Sequence, residues 1–219
     1  MAAADTKEQI LDVAEQVVAE NGYAGTTLRN IVSKAKVNLA AVHYHFGSKE
    51  DLVEALIARI AKPIVSGQIS ALEALPHQSG QSPSVEALLR AYLQPSIDFG
   101  AAYRARECLK DAAQPDGVAP TKRAHFIGRC WTEPDPVKSI ADQQFQESTE
   151  RFLDAFQRAL PNQSRSQLKW KLDLIISSLI HVLGEAGNPG ALLSGNTAKE
   201  IDFAVNKLVS FLLPGLERD

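Results

Sequence analysis

Thr26 to Leu56 reads TTLRNIVSKAKVNLAAVHYHFGSKEDLVEAL, and its punctuation divides it into three helical pieces. Leu28, Ile31, Val32 and Ala35 recur at helical spacing, while Arg29, Asn30, Ser33 and Lys34 fall on the opposite side. Thr26 or Thr27 is placed to cap this piece, since a side-chain oxygen there accepts from a free backbone N–H of the first turn. Asn38 is placed to cap the next, with Val42 and Phe46 inward and Leu39, Ala40, His43 and Tyr44 toward the outer side. Gly47 breaks that helix, and Ser48 with Asp51 forms a capping box for the third, which continues through Leu52, Val53, Leu56, Ile57 and Ile60. The first two pieces are too short to persist alone, because helix nucleation is costly, so they must pack on a neighbour.

That neighbour lies just upstream. Ile10, Val13, Ala14, Val17 and Val18 gather on one helical face, and the pattern stops at Asn21-Gly22, where glycine tolerates a positive φ. Charge is uneven around this unit. The chain carries 26 acids against 23 bases, a net charge of -3, which by itself points to no polyanionic partner. Yet Thr26 to Lys49 holds Arg29, Lys34, Lys36 and Lys49 with no acid among them, a basic island that suits phosphate contact. Arg29 and Lys36 are candidates for such contacts, and the small Ala40 and Ala41 would let the helix start approach a DNA groove closely.

With ILDVAEQVVAENGYAG ahead of it, this stretch resembles the tetracycline-repressor family over about fifty residues. The resemblance implies an all-α fold: an N-terminal three-helix DNA-binding domain with a helix-turn-helix, then a helical ligand-binding and dimerisation domain. It assigns Tyr44 and Lys49 to phosphate contacts, Thr27 to a phosphate contact from the second helix, and Leu39, Ala40 and His43 to groove-edge reading. The family usually has glycine where this chain has Lys36 and serine where it has Asn38, so both positions bear on turn geometry and operator contact. His45 is read as structural. The domains expected are 1–50 for the reader, 51–62 for a connecting helix and 63–219 for the body.

The body carries repeated apolar helical faces. Val85, Leu88, Leu89, Tyr92 and Leu93 make a helix that Pro95 is expected to kink or end, with Gly100 strengthening the break before a separate short helix from Ala101 to Ala113. SGQSP at Ser79 to Pro83 reads as a flexible boundary. Longer helices are expected over 140–160, 166–185 and 197–213, the last opened by a Thr197–Glu200 capping box. Phe99, Tyr103, Phe126, Trp131, Phe145 and Phe152 are either core or the walls of an effector chamber, and His181 either meets a polar effector group or makes a core or interface hydrogen bond. Leu172, Ile176, Leu179, Leu183, Phe203, Leu208, Phe211 and Leu212 are more than one helix face can bury, so a homodimeric four-helix interface is expected. NLAAVHYHFGSKEDL and FLDAFQRALPNQSRSQLKWKL resemble the fatty-acid-responsive branch of the family, which implies a small apolar effector such as a fatty acid or acyl thioester.

Several classes are set aside. With 45% apolar and 22% charged residues and two cysteines, the chain is neither disordered nor a disulfide scaffold. Cys108 and Cys130 are expected as reduced thiols outside any zinc-ligand spacing. No apolar run reaches the roughly 20 residues that cross a bilayer, and the opening MAAADTKEQI lacks a signal-peptide pattern, so a cytoplasmic protein without membrane contact is expected. No HExxH, glycine-rich phosphate loop or serine elbow occurs, and His181 with Glu185 is an ordinary i,i+4 pair, so neither catalysis, metal nor cofactor is expected. The expected partners are double-stranded operator DNA, a second copy of the chain and a small effector. The competing reading is a non-enzymatic interaction module whose basic island meets an acidic protein.

Overall fold

The computed structural model describes residues 3–76, 82–112 and 133–218, and within them every regular element is a helix. In chain order these are α1 (Ala3–Gly25), α2 (Leu28–Ala35), α3 (Leu39–Phe46), α4 (Lys49–Glu73), α5 (Val85–Ala112), α6 (Val137–Ala159), α7 (Arg165–Glu185) and α8 (Ala198–Glu217). They gather into two compact units. Among the described residues the first holds 3–62 with 133–144, and the second holds 63–76, 82–112 and 145–218. The division of the N-terminal part falls between Lys62 and Pro63, but 133–144 groups with the first unit, where sequence had placed it in the body.

In the first unit, α1, α2 and α3 pack on one another around Ile10, Leu11, Ala14, Val17, Val18, Ile31, Ala35, Val42 and Phe46, all buried. Burying such side chains stabilises by about 1.5–3 kcal/mol each, which offsets the poor intrinsic stability of two eight-residue helices. Val13 is only half-buried, while Leu11 and Glu15, absent from the predicted stripe, are buried. Gly22, at φ 71° and ψ 172°, leaves helical geometry where the sequence expects the first helix to end, and a short helical piece carries α1 on to Gly25 beyond that kink. Thr27 caps α2, its Oγ1 accepting from the Asn30 N–H at 3.2 Å; Thr26 is buried, its hydroxyl donating to the Gly22 carbonyl at 2.7 Å.

Arg59 fastens α4 to α1. Its guanidinium donates to Asp12 Oδ1 at 2.8 Å and Glu8 Oε2 at 3.4 Å and makes a very short contact with Glu15 Oε2, three carboxylates at helical spacing on one face of α1. Burial works against the charge on Arg59, and Glu15 and Asp12 more than offset it, so its pKa is raised.

In the second unit α5 packs along α8 and against α7, and α7 packs on α8. Pro95 neither ends nor splits α5, and Gly100 marks no break: the helix is continuous to Ala112, which corrects the expected separate helix from Ala101. Both residues serve packing. A Cβ on Gly67 of α4 would lie 2.9 Å from Pro95 Cβ, and one on Gly100 would lie 2.6 Å from Leu183 Cδ2, so each glycine admits a close neighbour. The Tyr92 carbonyl, one turn before the proline, accepts from Gln68 Nε2 at 2.9 Å. Two capping boxes open α7 and α8, Ser164 with Gln167 and the expected Thr197 with Glu200. The buried Lys171 ammonium closes the end of α8, donating to Gln163 Oε1 at 2.6 Å, to the Leu216 carbonyl at 3.2 Å and to the Arg218 carbonyl.

Candidate nucleic-acid interface

Side-chain oxygens and a reverse-handed turn set the course of α3. Lys36, at φ 52° and ψ 40°, turns the chain out of α2, a left-handed conformation that costs a non-glycine residue about 1–2 kcal/mol. Its N–H and that of Val37 return to Ser33 and Val32 carbonyls at 3.4 and 3.1 Å. Asn38 Oδ1 then accepts from the Ala41 N–H at 2.7 Å and starts α3, with Val42 and Phe46 buried. Gly47, at φ 84°, ends it, and Ser48 with Asp51 starts α4. The Ser48 N–H and hydroxyl donate to Asp51 Oδ2 at 2.9 and 2.6 Å, and the Asp51 N–H donates to Ser48 Oγ at 3.1 Å. These two hydrogen bonds from Ser48 hold the Asp51 carboxyl below its ordinary pKa.

The outer face so produced carries Asn38, Leu39, Ala40, His43 and Tyr44, all exposed, and Tyr44 retains 82% of its surface. Thr27, Arg29 and Lys36 are exposed on and beside α2. Each DNA-contact residue predicted from sequence is therefore at the surface of one unit except Lys49, which is half-buried. Its ammonium donates to the Tyr23 carbonyl at 2.6 Å and sits 3.9 Å from the centre of the Tyr23 ring. Burial lowers the Lys49 pKa. One of its three donors is thus committed to the protein, and Lys34 is engaged by Glu20 at 3.3 Å. The basic island is smaller in space than in sequence. His45 is half-buried, its ring edge-on to Tyr44 and Phe46. The His43 ring is held by Gly47, its Nδ1 2.6 Å from that residue's carbonyl oxygen, a contact no sequence pattern announces.

Two family descriptions match this chain. One, bacterial regulatory proteins of the tetR family, matches residues 10–56; the other, the tetracyclin repressor-like C-terminal domain, matches 108–215. Together they span more than two-thirds of the chain. The chain belongs to the tetracycline-repressor family. Members of this family are transcriptional regulators, not enzymes. The nicotine-responsive transcriptional repressor HdnoR of Paenarthrobacter nicotinovorans is 38% identical over 61 residues, 28% of this chain and 31% of that protein. BepR of Brucella suis is 41% identical over 61 residues, and the chain aligns with less than a third of the length of either HdnoR or BepR. A TetR-like regulator from Rhodococcus sp. RHA1 shares the fold over the full length of both chains, with a TM-score of 0.61 at 19% identity.

The remaining predicted residues of this tetracycline-repressor family chain are those expected at an effector chamber and a dimer interface. Phe126 and Trp131 fall outside the described residues, as does the side chain of Tyr103. Phe99 and Phe145 are half-buried. Phe152 is fully buried, its ring edge-on to Tyr92 at 4.9 Å and 6.3 Å from Phe156, which is core packing. His181 is exposed on α7, which corrects its placement in an effector chamber. The dimer assignment also needs correction. Leu172, Leu179, Leu183 and Leu208 are buried within the protomer, and Ile176 and Leu212 are half-buried, because α5, α7 and α8 pack against one another through those positions. Phe203 and Phe211 remain at 54% and 78% exposure, joined by Trp170 and Leu174, which sequence reading missed. Trp170, Leu174 and His181 fall at helical spacing on α7, a register visible only once the buried set is known. Among the described residues every exposed large apolar side chain lies on α3, α7 or α8.

Proposed function

We propose that the chain is a homodimeric repressor that holds a palindromic operator and is released from it by a small apolar effector. The observation that carries the DNA half of this reading is Tyr44, a large aromatic left exposed on a capped, short helix that packs on α2, where Arg29 and the following Lys36 are exposed too. Exposure of a phenol there gives nothing to the fold; a phenol hydroxyl donates to phosphate. The exposed Leu39 and Ala40 offer apolar contact at base edges, and Thr27, Arg29, Lys36, Asn38 and the remaining Lys49 donors set position on the backbone. Exposed apolar residues on α7 and α8 support self-association, since a two-fold axis covers one such face with its copy. Two α3 helices would then enter major grooves about 34 Å, or a multiple of that distance, apart.

The body would take the effector, with a fatty acid or acyl thioester as the class favoured by sequence. Gln68 supports a polar contact there. It is buried, its Nε2 donating to the Tyr92 carbonyl at 2.9 Å and Ser96 Oγ at 3.5 Å, and among the described residues Oε1 has no hydrogen-bond partner. Turning the amide over would set oxygen against a carbonyl oxygen, so the bare acceptor is a property of the site. An effector with a hydroxyl, amide N–H or protonated carboxyl would satisfy it. Release requires that the effector bind the DNA-incompatible conformation more tightly, since equal affinity shifts neither population. Arg59 would make the reader answer as one body, because any displacement of α4 pulls α1 with it.

The acidic-protein alternative predicts no preference among duplexes. Selection from random double-stranded DNA with the untagged protein, followed by competition at two salt concentrations, separates the readings. A palindromic consensus with salt-dependent affinity is expected. Tyr44→Phe weakens every duplex alike. Recovery of no sequence above competitor would end the proposal.

A further inference from the structure

His43 is the one exposed residue of α3 whose polar group is fixed in direction before DNA arrives. The Gly47 N–H donates to the His43 carbonyl at 3.0 Å, and His43 Nδ1 lies 2.6 Å from the Gly47 carbonyl oxygen. These two bonds lock ring and helix end together. A carbonyl oxygen brings no proton, so Nδ1 carries it and donates. In the neutral ring that leaves Nε2 bare, with a lone pair and no hydrogen. Such an atom is repelled by phosphate oxygens, guanine O6 and N7, and thymine O4. It bonds only to a donor. In the major groove the donors on base edges are the exocyclic amino groups of adenine and cytosine.

The surroundings leave this atom unrivalled on its face. Leu39 and Ala40, one turn back, have no hydrogen-bonding side-chain groups, and the short Ala40 lets the imidazole approach a base edge. Asn38 Oδ1 is already occupied by the Ala41 N–H at 2.7 Å. We infer that His43 is a specificity-determining residue that reads, through Nε2, the amino group of an adenine or cytosine in each operator half-site. The inference rests on the DNA reading above and narrows it: Tyr44 supplies sequence-independent hold, whereas His43 supplies preference at one base pair.

The test uses the full-length protein and the duplex it selects, at about pH 8. His43→Phe keeps a ring and removes both nitrogens; His43→Lys supplies donors only. The base pair whose preference disappears in His43→Phe is then altered one group at a time. Taking the amino group from its adenine (purine in its place) or cytosine (2-pyrimidinone) should weaken wild-type binding about fivefold to tenfold and leave His43→Phe unaffected. Replacing purine N7 by carbon should leave wild type unchanged, while His43→Lys should become sensitive to that replacement. Three results overturn the inference: His43→Phe weakens all duplexes equally, it alters no position, or wild type responds to N7 and not to the amino group. Each of them leaves operator selection by the wild type intact, so this inference and the DNA reading fail separately.

Discussion

Arg59→Leu tests what holds α4 to the reader. The substitution keeps an apolar stem and deletes a guanidinium that faces Glu8, Asp12 and Glu15 together. The three pairs are unequal. Glu8 is exposed and Asp12 half-exposed, and solvent-screened pairs of this kind contribute about 0–1 kcal/mol each. Glu15 is only 3% exposed, and removing a charged partner of a buried carboxylate costs about 3–5 kcal/mol because a desolvated charge then loses much of its compensation. The expected loss is therefore about 3 kcal/mol or more, nearly all through Glu15. Urea denaturation followed by circular dichroism measures it, with amide exchange along α1 locating it. Adding Glu15→Leu should restore most of the stability, since the pair can be exchanged for apolar groups at little cost. A loss under 1 kcal/mol, or a double variant no more stable than the single one, would refute the claim that the buried carboxylate dominates this contact.

Three further outcomes are expected. Asp51, held below its ordinary pKa by Ser48, stabilises the start of α4 above the unfolded value near 4 and loses that contribution as pH falls through the lower folded value. Amide exchange in the first turn of α4 should therefore accelerate in acid for wild type and be pH-independent in that window, beyond the intrinsic rate, for Asp51→Asn. Lys36→Gly should raise stability by about 1 kcal/mol by relieving a left-handed lysine, while operator affinity falls and its salt slope shrinks by about one; unchanged thermal unfolding would sink the strain argument. Phe211→Glu should leave the protomer folded and raise the dimer dissociation constant at least a hundredfold, since each buried phenylalanine contributes about 1.5–3 kcal/mol and the two-fold axis doubles the loss; light scattering that still reports a dimer would remove α8 from the interface.

What sequence determined here is local. Capping by Asn38, Ser48 and Thr197, the break at Gly47 and the inward set Val42, Phe46, Leu52, Leu56 depend on residues three or four apart, where helical geometry alone says which atoms meet. The exposed face of α3 followed as the complement of that inward set. Tertiary structure decided everything that depended on which second surface arrives. Pro95 and Gly100 look like breaks until Gly67 and Leu183 close on them, and an apolar leucine on α7 is core or interface according to whether α5 or α8 already covers it. The same holds for charge: Lys34 and Lys49 belong to the basic island by position, but Glu20 and the Tyr23 carbonyl engage them first. Periodicity states how many faces a helix has; it carries no information about what lies opposite each one, because burial is a property of the pair of surfaces and not of either strand of sequence.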